Sequence, residues 1–158
     1  MRLIQHDYLD DPWKMMVACM LLNQTTGTAV RPVLPELFDM FPNACDMAAA
    51  NVGDIFPIIG HLGFGNRRSM ALVKMSLDAC HGKVVGNWHG IGQYAVDSWM
   101  MFVVGMFVEP DDKELRAYHD WAKKAGVLPP AYQTDNIIYR HEPLRIMRLT
   151  KEMIGDVW

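Results

Sequence analysis

The chain has 158 residues, 51% of them hydrophobic, and a formal net charge of −3. That is enough apolar material for one core, and the acidic balance argues against bulk charge holding a polyanionic partner. No apolar run approaches the roughly 18 residues of a membrane span, and the opening MRLIQHDYLDD lacks the basic-then-apolar order of a secretory signal, so a cytosolic protein is the expectation.

Taken in chain order, the pattern is helical throughout. DPWKMMVACMLLNQ places Asp11 as an N-cap and Pro12 at the first helical position, then stays apolar long enough for a buried helix. TGTAVRPVLPELFDMF reads as a second helix entered near Thr26 or Thr28 and closed by Pro42. NACDMAAAN and NVGDIFPIIG read as short helices, each opening on an asparagine cap. NRRSMALVKMSLDAC has helical period, with Met70, Val73 and Leu77 on its apolar face and Arg67, Arg68 and Lys74 elsewhere. GQYAVDSWMMFVVGMF reads as a strongly apolar helix, and PDDKELRAYHDWAKKAG as an amphipathic one ending at Gly126. Beyond it, VLPPAYQTDN reads as an extended segment and PLRIMRLTKEMIGDVW as a short final helix, with Arg145, Arg148 and Lys151 on a stripe read as a solvated face, a phosphate contact being the alternative. There is no alternating strand and no internal repeat.

Cys19, Cys45 and Cys80 are scattered, without a C-x-x-C pair. They read as reduced filler, with no disulfide framework, zinc site or iron–sulfur cluster. The six histidines show no metal-ligand spacing, and the thirteen methionines read as filling between helices.

Charge is unevenly distributed. Residues 1–60 carry three basic and seven acidic residues, residues 61–90 four and one, and residues 91–158 eight and ten. The net-positive stretch, with Arg67, Arg68, Lys74 and Lys83, leads into WHGIGQYAVDSW. There Gly90 and Gly92 strip side chains from a tight connection between helices, so that backbone N–H groups can approach an anion. Because the motif follows no strand, the dinucleotide-binding form is excluded. A helix-hairpin-helix clamp on a DNA backbone remains.

Four stretches taken together, LIQHDYLDDPWKMMVACMLLNQTTG, IIGHLGFGNRRSMALVKMS, WHGIGQYAVDSW and VEPDDKELRAYHDW, resemble the helix-hairpin-helix (HhH-GPD) DNA glycosylase superfamily. Within it, they are most similar to the methyl-CpG-binding mismatch thymine/uracil glycosylases. The resemblance covers about residues 3 to 123. It implies an all-α, two-lobed fold over residues 1–126, with a middle lobe at about 27–108 and a second lobe built from the chain's two ends. Residues 127–158 form an extension outside the family pattern.

The resemblance also assigns roles. Asp112 matches the essential aspartate, although its local sequence alone favours a helix N-cap or first-turn acid, and Asp111 stands one register step away. Gln24 matches the residue that fills the gap left by a flipped nucleotide, and Phe64 the wedge beside the orphaned partner base. Their alternatives are a surface glutamine at a helix end and a core phenylalanine. Gln5 and Tyr94 match positions that read and stack the extruded base, against a plain N-terminal polar residue and a core tyrosine. His89, Gly90, Gly92 and Gln93 of the hairpin, with Arg67 and Arg68, are implied to contact the DNA backbone, His89 also bracing the hairpin.

Two features define the expected chemistry. The amide of Gln93, directly after the hairpin, cannot form the Schiff base with which lysine-bearing members cut the strand, so a monofunctional enzyme is implied, with Lys113 the alternative amine. Glu114 stands where the mismatch glycosylases carry a lysine near the pyrimidine. An acceptor there suits a substituent that donates a hydrogen bond, such as that of 5-hydroxymethyluracil. The implied substrate is a mismatched or 5-substituted pyrimidine opposite guanine in double-stranded DNA. The implied protein is a monomer without a cofactor, save a monovalent cation at the hairpin, and is nucleoid-associated, or nuclear in a eukaryote. Two rivals stay open: a base-modifying enzyme of a viral thymine hypermodification pathway on the same fold, and a non-catalytic sensor of DNA distortion.

Overall fold

In a computed structural model, residues 1–106 and 108–127 are described. Among them the chain is helical, without a strand. The expected extended segment and final helix, with Arg145, Arg148 and Lys151, lie outside the described residues.

A 3-10 turn at Ile4–Asp7 leads into α1, Pro12–Leu21, where the Asp11 carboxylate accepts from the Lys14 N–H as the cap signal requires. Met15, Met16, Val17 and Ala18 have no exposed surface, so α1 is the central rod of the core. The expected second helix is two: α2, Gly27–Val30, and α3, Leu34–Met40. The reason is local, since Pro32 has no N–H to continue the ladder and Pro35 is comfortable only in a first turn.

Next come α4, Ala44–Ala48, and α5, Val52–Ile59. Asn43 caps α4 with its side chain, accepting from Asp46 N–H at 2.9 Å, whereas Asn51 makes no such bond before α5. A turn at Gly60–Leu62 then leads to α6, Gly65–Cys80, which packs on α4 and α5. Its buried face is not the expected one. Arg68, Ser69, Leu72, Met75 and Ser76 turn inward while Met70 and Leu77 are exposed, because the helix meets α1 through polar contacts such as Trp13 Nε1 to Ser76 Oγ at 3.0 Å.

The cysteines also require correction. Cys45 on α4 and Cys80 at the end of α6 form a disulfide, with Cα atoms 5.1 Å apart, and only Cys19 is free and buried. Thirty-five residues separate the pair, so spacing alone gave no hint.

After a short turn at Val85–Asn87, α7 runs over Gln93–Trp99 and widens into a π-helical turn, Met100–Val104, which stops at Gly105 in left-handed conformation. Finally α8, Lys113–Ala125, is capped by Asp112 and closed by Gly126, as its sequence pattern predicts. Distant segments meet here: Tyr118 of α8 stacks on Phe102 at 5.2 Å, and the His6 ring packs edge-on against both. Thus the N-terminal turn, α1, α7 and α8 gather around one region. No helix among the described residues is long and apolar enough to cross a membrane.

Candidate active site

The N-terminal turn delivers Gln5, which is fully buried. Its Nε2 donates to Tyr94 Oη and to Ser98 Oγ, each at 2.9 Å, so residues from opposite parts of the sequence share one small polar cluster. Gln5 Oε1 is buried without a partner, an acceptor left open inside the protein. Tyr94 and Ser98 sit one turn apart on α7, and Cys19 of α1 completes the group at 3.9 Å from Gln5 Nε2. Burial pushes the Cys19 thiol up to about 12. The same cause raises the Tyr94 phenol, with nearby Cys19, Asp112 and Glu114 adding to it against the Gln5 bond, so the ring stays neutral.

Tyr94 forms part of a cavity of about 680 Å³ whose wall also includes Gln24, Gly90, Gly92, Gln93, Asp112 and Glu114. Gln5 is not on that wall; it stands one layer behind, through Tyr94.

Asp112 enters this cavity by virtue of its cap role. Its Oδ1 accepts from the N–H groups of Glu114 and Leu115 at 2.9 and 3.0 Å. One oxygen is thereby held by two backbone amides, in a residue that lines the cavity. The helix cap is therefore also part of the cavity wall. Asp111, in contrast, is 98% exposed at its side chain, faces Arg116 at 3.4 Å and does not line the cavity.

Gly90 of the hairpin has φ 76°, a left-handed conformation that favours glycine, and a Cβ there would meet the flexible end of Met20, at 2.9 Å from its Cε. The His89 N–H donates to Asp78 Oδ2 at 2.8 Å, while the Lys83 ammonium donates to Oδ1 at 2.6 Å. The Lys83 bond first, then the His89 N–H, hold the Asp78 carboxyl below the usual carboxylate range. It is the backbone of His89, rather than its exposed ring, that ties the hairpin to α6. Gln93 spends its side-chain amide on Asp97 Oδ1 at 2.7 Å. Burial raises the Asp97 carboxyl, opposed by the Gln93 bond and reinforced by Asp111 and Asp112.

Two loop tips flank this region. Gln24, after α1, has φ 57°, and Phe64, before α6, has φ 53°; both are non-glycine residues in the left-handed region, where the backbone is strained. Both side chains are exposed, Phe64 at 64%, and both border a second depression of about 430 Å³ that shares Met20, Asn23, Gln24 and Gly90 with the first. The tip at Phe64 is built from glycine. Gly63 has φ 88°, and a Cβ on Gly65 would stand 2.6 Å from the Phe56 ring and 2.8 Å from Gly60 Cα.

Arg67 and Lys74 are exposed on this depression. Arg68 is not available in the same way. It is 8% exposed, and its guanidinium is committed to Leu21 O, Asn23 O and Thr25 Oγ1, so its expected contact with a DNA backbone gives way to an internal role. Sequence reasoning also passed over Ser98 and Cys19, although Ser98 lies four residues from Tyr94 and must share its helical face.

No family model matches the chain. Curated relatives do. A thymine/uracil-DNA glycosylase of Pyrobaculum aerophilum is 29% identical over 104 residues, 60% of this chain and 45% of that protein. The chain is similar in sequence to DNA glycosylases. A thymine-DNA glycosylase of Aeropyrum pernix is 26% identical over 104 residues, 60% of this chain and 47% of that protein. A methyl-CpG-binding domain protein 4-like protein of Arabidopsis thaliana is 33% identical over 125 residues, 77% of this chain and 28% of that protein. The chain thus spans less than half the length of these relatives.

Proposed function

We propose that the chain is a monofunctional DNA glycosylase that flips a mismatched or 5-substituted pyrimidine out of duplex DNA and hydrolyses its N-glycosidic bond. The observation that carries this reading is the convergence of Asp112, Tyr94, Glu114 and Gln24 on one cavity, with one oxygen of Asp112 pinned by two backbone amides. The relatives named for thymine and uracil glycosylase activity support the same reading. In it, the helices form the two-lobed helix-hairpin-helix fold and duplex DNA crosses the cleft between the lobes.

As the bond between base and sugar breaks, its electron pair leaves with the base and the sugar ring becomes cationic. A carboxylate at about 4 Å, at an effective dielectric near 20, stabilises that charge by about 4 kcal/mol, or roughly a thousandfold in rate. The neutral ground state gains little, so the effect falls on the barrier. Asp112 then takes a proton from the water that attacks the ring carbon. No amine and no cofactor enters this sequence, so the strand is left intact at an abasic site.

A stacked nucleotide offers no room for this attack and must turn outward. Gln24 fills the space it leaves and Phe64 wedges beside the partner base. Tyr94 then stacks on the extruded ring. Gln5 acts from behind Tyr94, its Nε2 holding the phenol that forms part of the wall the base meets. Glu114 offers an acceptor toward a 5-substituent that donates, which favours 5-hydroxymethyluracil among the substrates. Gly90, Gly92, His89, Gln93 and Arg67 lie along the path of the phosphates.

Labelled duplexes carrying G:T, G:U or G:5-hydroxymethyluracil, incubated with the protein and heated in alkali, test the reading. Breaks that depend on Asp112 are expected; DNA binding without breaks overturns it. Glu114→Lys should shift the relative rates away from 5-hydroxymethyluracil, and unchanged ratios would remove that part of the substrate assignment.

A further inference from the structure

Arg68 places a charged guanidinium inside the protein with only neutral partners. Among the described residues no carboxylate pairs with it, and its acceptors are two carbonyls and one hydroxyl. Burying a cation in that manner is costly, so a merely convenient helix cap is a poor explanation for its presence. What it touches is more informative.

The three oxygens belong to Leu21, Asn23 and Thr25, at 2.6, 2.8 and 2.7 Å. They bracket Gln24, whose own backbone is in the left-handed region. Leu21 is the last residue of α1, where a positive charge also complements the helix C-terminus. At its other end Arg68 begins the first hydrogen-bonded turn of α6: its N–H donates to the carbonyl of Phe64 at 2.8 Å. Phe64 is the second strained tip. The guanidinium therefore holds the loop that carries Gln24, while its own backbone sits one helical turn after Phe64, so this side chain ties the start of α6 to the Gln24 loop.

We infer that Arg68 is a positioning residue that couples the two DNA-entering tips, fixing Gln24 and Phe64 relative to one another so that they enter the duplex as one rigid pair. The inference rests on the proposed glycosylase reading for its substrate, though not on the chemical step. A lysine could keep the charge and reach one or two of the oxygens, but it lacks the planar fork that spans all three. Methionine keeps the apolar stem and the backbone bond to Phe64 but loses all three guanidinium contacts.

The test uses a duplex with 2-aminopurine beside a G:T mismatch, whose fluorescence rises when the neighbouring base leaves the stack. The whole chain is compared with Arg68→Lys and Arg68→Met, each checked for folding by its thermal midpoint. Gln24→Ala and Phe64→Ala are made in the parent and in each Arg68 background. If Arg68 couples the tips, unstacking at saturating protein drops about tenfold in Arg68→Met and by less in Arg68→Lys, and truncating a second tip then adds little. Should Arg68→Met fail to fold, the lysine variant decides by the same non-additivity. Parent-like unstacking in a folded Arg68 variant, or tip truncations that multiply independently of residue 68, overturns the inference. A parent that unstacks DNA without releasing base sinks the glycosylase reading and leaves this one standing, whereas a parent that causes no unstacking sinks both.

Discussion

Gln5 donates to the Tyr94 hydroxyl across 2.9 Å, joining residues 89 positions apart in the chain. The same amide nitrogen holds Ser98, whose side chain is fully buried. Replacing Gln5 by leucine strands a buried hydroxyl, and should cost about 1–3 kcal/mol of unfolding free energy, read from urea denaturation. Tyr94→Phe leaves the Ser98 bond in place and should cost about 1 kcal/mol. Both should slow base release, since both disturb the wall of the proposed base pocket. A Gln5→Leu protein as stable as the parent would show that the cluster does not tie the N-terminus down.

Asp112 serves as helix cap and proposed catalytic group, and two substitutions separate those duties. Asparagine retains an oxygen that accepts from Glu114 and Leu115, so Asp112→Asn should unfold near the parent midpoint while base release falls roughly a thousandfold. Alanine removes the cap as well, and should additionally lose about 1 kcal/mol of stability. Asp111→Asn should alter neither quantity. Single-turnover base release and thermal melting on the same preparations give both readings.

The buried carboxyl of Asp97 makes a pH-dependent prediction. Its pKa in the folded protein lies above the ordinary aspartate value of 3.8, chiefly through burial, so the native state holds this proton longer than the unfolded chain does. Stability from this group is then present at acid pH and lost as pH rises from about 3.8 through the raised value. Asp97→Asn, which still accepts from Gln93, should melt higher than the parent at neutral pH, with the difference shrinking below pH 4. A constant difference across that range would show that burial of charge is not its cause.

Thiol chemistry offers a fourth, independent measurement. With its pKa pushed to about 12, Cys19 should resist iodoacetamide in the native protein at neutral pH. Denaturant without reductant should expose one thiol, and denaturant with reductant all three. Opening the Cys45–Cys80 bridge, which closes a separation of 35 residues, should lower stability by up to about 4 kcal/mol. Base release by the still-folded reduced protein should be unchanged, because the bridge joins α4 to α6 and neither cysteine borders the cavity.

Helices with strong end signals were readable in advance: Asp11 with Pro12 for α1, Asn43 for α4, Gly126 for α8. Such signals act within one turn of the chain. Interactions that depend on distant neighbours were not. The inward face of α6 was misassigned because Arg68 and Ser76 are drawn inside by polar groups on and beyond α1, and apolar periodicity cannot anticipate that. The Cys45–Cys80 pairing is legible only once α4 lies on α6. At the cavity, the resemblance brought together Asp112, Tyr94, Glu114 and Gln24, which the fold places on one wall. The position of Gln5 behind Tyr94 and the internal commitment of Arg68 needed coordinates.

Phe64 leaves most of its ring in water, on a tip that glycine packing against Phe56 keeps raised. An aromatic face held in that way orders solvent until something flat covers it. Association with a duplex that admits the ring should therefore carry a negative heat-capacity change, visible as a binding enthalpy that grows more favourable on warming. That temperature slope should flatten when the phenyl is removed.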